Sequence, residues 1–152
     1  MQDLTRREFV GRTAAVLVTL SFFSLGESAC RNENRRIGDL EIRDGKIIVD
    51  LEKPSFHVLQ TPGQGVSITF DTTRKPLLVS RIGEREVVAL SSQCTHAGYT
   101  VLPPEHGVLI CSSGHGGRYS LDGKVLHGPP TSSLPSYPCR LDGTLIIIDY
   151  PT

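Results

Sequence analysis

The sequence predicts an all-β protein made of short antiparallel strands joined by tight turns. Three observations lead there. After residue 30 no stretch has the 3.6-residue apolar spacing of a helix. Short apolar runs are bounded instead by Asp-Gly, Gly-Pro and Pro-Pro clusters, in a chain with 15 glycines and 10 prolines. Val66-Ser67-Ile68-Thr69-Phe70 alternates with period two, as a half-buried strand does. A length of 152 residues allows one modest domain. Sixteen basic residues balance sixteen acidic ones, which argues against nucleic acid as a general partner.

Taken in order, residues 1–30 read as an export signal or an N-terminal membrane anchor. Thr5-Arg6-Arg7-Glu8-Phe9-Val10 resembles a twin-arginine motif and precedes an apolar stretch, Thr13 to Leu25, broken only by small hydroxyl residues. That stretch is shorter than the ~20 residues a spanning helix needs, and it suits a signal core. Ser28-Ala29-Cys30 resembles the end of a lipobox, with Cys30 as the lipidation candidate, although Glu27 stands where such boxes have leucine. Lipidation, retention as an anchor, and a soluble or partner-held form therefore stay open. Residues 31–36 read as a polar linker, and the folded domain is expected over 37–152.

Leu40-Glu41-Ile42 and Lys46 to Leu51 flank Arg43-Asp44-Gly45, a hairpin signal. Phe56-His57-Val58-Leu59 is read as a third strand, and Val66 to Phe70 as the next. Pro76 to Val79 and Glu86 to Leu90 flank Gly83 and lead into Cys94-Thr95-His96. Val101-Leu102 and Val108-Leu109-Ile110 enclose the turn cluster Pro103 to Gly107, so this segment reads as a hairpin. A hairpin returns the chain and sets Cys111 to Tyr119 beside the first Cys/His loop. Arg118 to Ser120 and Lys124 to Leu126 flank Leu121-Asp122-Gly123, and Gly128-Pro129-Pro130 follows. The last strands are expected at Ser136 to Arg140 and Thr144 to Ile148, joined at Asp142-Gly143. The isoleucine run suits a central strand covered on both faces, or an edge packed by a partner.

Cys94, His96, Cys111 and His115 place one thiol and one imidazole in each of two loops, a four-ligand metal constellation. Two Cys and two His also suit a structural zinc, but zinc motifs usually pair like ligands at short spacing. Cys139 is surplus to the set and reads as a buried structural thiol. His106 lies in a polar turn, His127 adjoins the Gly-Pro-Pro segment, and His57 is remote from the motif. Nothing resembles a nucleophile–base pair, a phosphate-binding loop or an acidic dyad, so no catalytic residue is expected. One-electron chemistry belongs to a cofactor, with the protein setting potential and access.

Cys-x-His, a hairpin, a second Cys and His, Gly-x-x-Tyr and a downstream Gly-Pro-Pro together resemble a Rieske iron–sulfur domain. The resemblance implies a Rieske-like antiparallel β-sandwich carrying a small cluster-binding subdomain of two loops. It implies a [2Fe-2S] cluster, with Cys94 and Cys111 on the inner iron and His96 and His115 on the outer one. Histidine ligation raises such centres to roughly −150 to +300 mV. Tyr119 would hydrogen-bond a ligand sulfur, Gly117 stands where a serine often bonds a bridging sulfide, and Gly128 and Pro129 belong to a covering loop. Tyr99 and Ser113 occupy the positions of two disulfide cysteines, and Gly114 is the extra residue in the second loop. One hydrogen bond fewer implies an intermediate potential.

By the same resemblance the protein is a one-electron carrier, an electron-transfer subunit of an oxidoreductase complex rather than a stand-alone catalyst. The leading expectation is the iron–sulfur subunit of a membrane quinol-oxidising, cytochrome bc-like respiratory complex, with a cytochrome b-type partner and a c-type cytochrome acceptor. The alternative is the small subunit of a periplasmic redox enzyme such as arsenite oxidase. A third reading, of another class, is a zinc-stapled structural subunit. Iron–sulfur clusters are assembled in the cytoplasm, and twin-arginine export carries folded cargo. The expected location is thus the periplasmic side of the membrane.

Overall fold

The computed structural model describes residues 35–70 and 75–151. Its strands are β1 (Arg35–Ile37), β2 (Leu40–Arg43), β3 (Lys46–Asp50), β4 (Gly65–Ile68), β5 (Leu77–Arg81), β6 (Val87–Ser91), β7 (Val108–Ile110), β8 (Arg118–Ser120), β9 (Val125–His127), β10 (Ser136–Tyr137), β11 (Cys139–Asp142) and β12 (Leu145–Asp149). They form three antiparallel sheets, in the orders β1-β2-β3-β12-β11, β10-β6-β5-β4 and β7-β8-β9. The all-β expectation holds, and so does the hairpin at Asp44-Gly45, where both residues take the positive φ that a tight primed turn requires.

The four-stranded sheet is the middle layer. Leu77 and Val79 of β5 and Ala89 of β6 pack with Leu40, Ile42, Ile47, Val49, Ile146 and Ile148 of the five-stranded sheet. The next residues along, Leu78 and Leu90, turn to the opposite face and pack with Cys94, Val101, Leu109, Cys111, Tyr119 and Leu134. Alternate residues of a strand point to opposite faces, so Leu77 to Ser80 are buried without a break because both faces are covered. The second cluster is the floor of the two Cys/His loops.

Several local expectations are corrected. Phe56 to Leu59 is not a strand but lies in a 3₁₀ helix, Pro54–Gln60. Pro54 fixes φ and lacks the N–H that a ladder needs, which suits a first helical turn. Phe56 and Leu59, three residues apart, then fall on one buried side of a three-residue turn. Ser136 to Arg140 is two strands: at Pro138 the chain leaves the middle sheet, where β10 pairs β6, and enters the five-stranded sheet, where β11 pairs β12. The isoleucine run is an interior strand covered on one face only, with Ile146 and Ile148 buried and Leu145 and Ile147 half-buried. Arg35 and Arg36, assigned to the linker, already belong to β1 and pair with Ile42 and Glu41. Val101 makes only an isolated bridge to Cys111, although Leu102 N–H still bonds the Ile110 carbonyl at 2.8 Å.

The twin-arginine motif and Cys30 lie outside the described residues. Among the described residues no helix is long and apolar enough to cross a membrane.

Candidate metal centre

Strand β6 ends at Ser91 and delivers the first Cys/His loop. The Cys94 amide donates to the Tyr99 carbonyl at 2.7 Å and the Gly98 amide to the Cys94 carbonyl at 2.8 Å, closing a tight turn. Strand β7 delivers the second loop, which the Cys111 amide closes onto the Gly117 carbonyl at 3.0 Å. Backbone groups tie the two loops together. Val101 bridges Cys111, and the Ser112 amide donates to the Thr100 carbonyl at 2.8 Å. The expected juxtaposition is therefore present without a disulfide; Cys94, Cys111 and Cys139 are all free thiols.

The four candidate ligands divide into two pairs. Cys94 and Cys111 are each 3% exposed and sit in the apolar floor. His96 and His115 are exposed, with ring centroids 5.7 Å apart in an edge-on arrangement. Tyr99, 50% exposed, sets its ring edge-on to His115 at 6.4 Å.

Hydroxyls serve the thiol pair. Tyr119, on β8, is fully buried, and its hydroxyl lies 3.4 Å from Cys94 Sγ. The Thr95 amide donates to that same oxygen at 3.2 Å, and Thr95 Oγ1 lies 3.0 Å from it while donating to the Ser132 carbonyl at 2.7 Å. Burial alone would push the Cys94 thiol up; hydrogen bonds involving Cys111, Tyr119 and the backbone at His96 and Ala97 outweigh it and hold the group below the ordinary thiol value. Burial, and then the bond to Cys94, raise Tyr119, which keeps its proton as a donor. Cys111 Sγ lies 3.3 Å from Ser113 Oγ, which also accepts from the His115 amide at 3.3 Å. Against a thiolate only the hydroxyl can donate. Ser113 can thus do for Cys111 what Tyr119 does for Cys94.

The glycines and prolines refine the expectation. Gly114 has φ 74°, and no heavy atom lies within 4 Å of the position a Cβ would take, so the extra residue sits where glycine is free of steric cost. Gly117 is buried, and a Cβ there would lie 3.0 Å from Pro130 and 3.3 Å from Cys111 Cβ. Pro130 is the buried proline of the covering loop, whereas Gly128 and Pro129 are exposed; the Gly128–Pro129 bond is cis. Of the remaining candidates, Cys139 sits against the other core and donates to the Val87 carbonyl at 3.4 Å, with burial raising its thiol. His57 and His106 are exposed. Thr95 is a supporting residue that the sequence did not single out, whereas Ser113, expected only as the replacement of a disulfide cysteine, and Pro130, expected within the covering loop, prove to lie against Cys111 and Gly117.

Among the described residues no three His, Cys, Asp or Glu side chains converge as ligands of a single ion. A buried thiol pair beside an exposed imidazole pair fits a two-iron group, two ligands to each iron.

A family model described as "Rieske [2Fe-2S] domain" matches residues 53–138, more than half of the chain. The carotenoid phi-ring synthase of Chlorobaculum tepidum is 38% identical over 74 residues, 48% of this chain and 11% of that protein. The cytochrome b6-f complex iron-sulfur subunit of the same organism is 32% identical over 62 residues, 41% of this chain and 34% of that one. Each match thus spans well under half of the curated relative. Among solved structures, the hyperthermophilic respiratory Complex III superposes with a TM-score of 0.50 at 27% identity, over 65% of this chain and 71% of the other.

Proposed function

The chain belongs to the Rieske [2Fe-2S] domain family, and from that premise we propose that it is the iron–sulfur subunit of a membrane quinol-oxidising, cytochrome bc-like complex. When bound, a [2Fe-2S] cluster takes up and returns single electrons. Cys94 and Cys111 would hold the inner iron, and His96 and His115 the outer one. The observation that carries the reading is the asymmetry of the two pairs: thiols buried, imidazoles exposed. Val101, Leu109, Tyr119 and Leu134 exclude water from the thiol end. Exchange with a partner is then confined to the imidazole end. There, the ring N–H not used for iron can form a hydrogen bond with a quinol oxygen. Tyr119 places its hydroxyl 3.4 Å from Cys94 Sγ, and Ser113 places its own 3.3 Å from Cys111 Sγ.

The partners in this reading are a cytochrome b-type subunit on the donor side and a c-type cytochrome as acceptor. The location is the periplasmic face of the membrane, reached by twin-arginine export, with residues 1–30 as signal or anchor, Cys30 as the lipidation candidate, and the folded domain following from Arg35. Support comes from the likeness to the b6-f subunit and to Complex III. The second reading, a small electron-transfer subunit of a periplasmic redox enzyme such as arsenite oxidase, is favoured by the disulfide-free loops at Tyr99 and Ser113. Detergent extraction of native membranes and affinity capture of this chain tests the choice. Co-purified b-type haem, with reduction of the cluster by added quinol, is expected; capture of a molybdenum protein without b-type haem would favour the second reading.

A further inference from the structure

We propose that His127 is a positioning residue that clasps the second Cys/His loop to the proline loop. The inference rests on the reading that His115 is a cluster ligand. His127 Nδ1 lies 3.1 Å from the Gly116 carbonyl oxygen and 2.9 Å from the Gly128 carbonyl oxygen. Carbonyl oxygens only accept, so Nδ1 carries the proton and shares it between the two. Gly116 directly follows His115, and Gly128 opens Gly128-Pro129-Pro130. Both carbonyls lie just beyond the β8–β9 ladder, which shifts register at Arg118/Tyr119 and pairs Arg118 with His127. One exposed ring thus joins the backbone beside a ligand to the backbone of the loop whose Pro130 packs against Gly117. With no disulfide between the loops, this side-chain clasp fixes the second loop from the side that the Ser112–Thr100 bond does not reach.

The test uses the full-length holoprotein and three variants. In His127→Asn the amide N–H hangs from Cγ, as Nδ1–H does; in His127→Gln it sits one carbon farther out; His127→Ala has no donor. Each is checked for two irons per chain and for a reduced-state EPR signal, and the cluster absorbance is then followed in excess chelator. His127→Ala and His127→Gln should bleach about tenfold faster than wild type, the factor for one net hydrogen bond, and His127→Asn within about twofold of it. A change of EPR line shape in the alanine and glutamine variants but not in the asparagine variant should accompany this. Should the alanine variant load no cluster, the two amides still decide. Equal bleaching of the asparagine and glutamine variants, or failure of both to load, overturns the proposal. A wild-type protein lacking the EPR signal, or a His115→Ala variant retaining it, would instead overturn the ligand reading on which it rests.

Discussion

Replacing Tyr119 by Phe removes one oxygen atom from the floor of the site and leaves the buried ring in place. That oxygen lies 3.4 Å from Cys94 Sγ, 3.0 Å from Thr95 Oγ1, and accepts from the Thr95 amide at 3.2 Å. A hydrogen bond to a charged group contributes about 1.5–3 kcal/mol, and only the part that strengthens on reduction moves the potential. Taking that part as about 1 kcal/mol, and ~59 mV per tenfold change for one electron, the midpoint should fall by roughly 40 mV. The direction follows from charge: the reduced centre is more negative and loses more when the donor goes. The Thr95 amide also loses its acceptor, so the thermal midpoint of unfolding should fall, by the equivalent of about 1 kcal/mol. Protein-film voltammetry and a thermal melt on wild type and Tyr119→Phe check both. An unchanged or raised redox midpoint would refute the claim that this hydroxyl serves the cluster sulfur.

Gly117→Ser would bring back a hydroxyl where the family resemblance places one, and should raise the midpoint by tens of millivolts, about 1 kcal/mol. Its Cβ, however, meets Pro130 at 3.0 Å, so the variant should also lose about 1–3 kcal/mol of stability, which Gly117→Ser/Pro130→Ala should restore in a thermal melt. Unaltered melting in the single variant would show that the covering loop yields freely. Arg6→Lys with Arg7→Lys should strand the protein in the cytoplasm with its cluster assembled, because folding precedes twin-arginine transport; fractionation and EPR of the cytoplasm read this out, and normal export would contradict that route.

What the sequence made legible was whatever local chemistry decides. Asp44-Gly45 announces its hairpin because few residues besides glycine and asparagine or aspartate tolerate those backbone angles. The two Cys/His loops meet as expected because the turn cluster at Pro103 to Gly107 returns the chain. Layering was not legible. A continuous apolar run such as Leu145 to Ile148 reads the same whether one face or both are covered; pairing with β3 and β11 makes the strand interior, and the alternation of Ile146 and Ile148 buried with Leu145 and Ile147 half-buried shows one covered face. Conversely Leu77 to Ser80, covered on both faces, drew no such expectation. Phe56 to Leu59 has too few residues for its period to be told, and Pro54 just upstream carried the better signal. Ser113 reads in the sequence only as the replacement of a disulfide cysteine, because a short hydroxyl side chain acquires its hydrogen-bonding role only when the loop closes on Cys111. Its presence also qualifies the expected intermediate potential: Gly117 lacks one hydroxyl, but Ser113 supplies another at a ligand sulfur.

The most direct test of the central claim combines metal analysis with pulsed EPR of the reduced full-length protein, in wild type, His115→Ala and Cys139→Ser. A Rieske [2Fe-2S] centre requires two irons and two sulfides per chain, with hyperfine couplings from two imidazole nitrogens. Loss of a ligand opens an iron to water, so His115→Ala should lose the signal. Cys139→Ser should keep it in full, since that thiol bonds the Val87 carbonyl across a different core. Stoichiometric zinc with no reduced-state signal, or equal loss in both variants, would contradict the account.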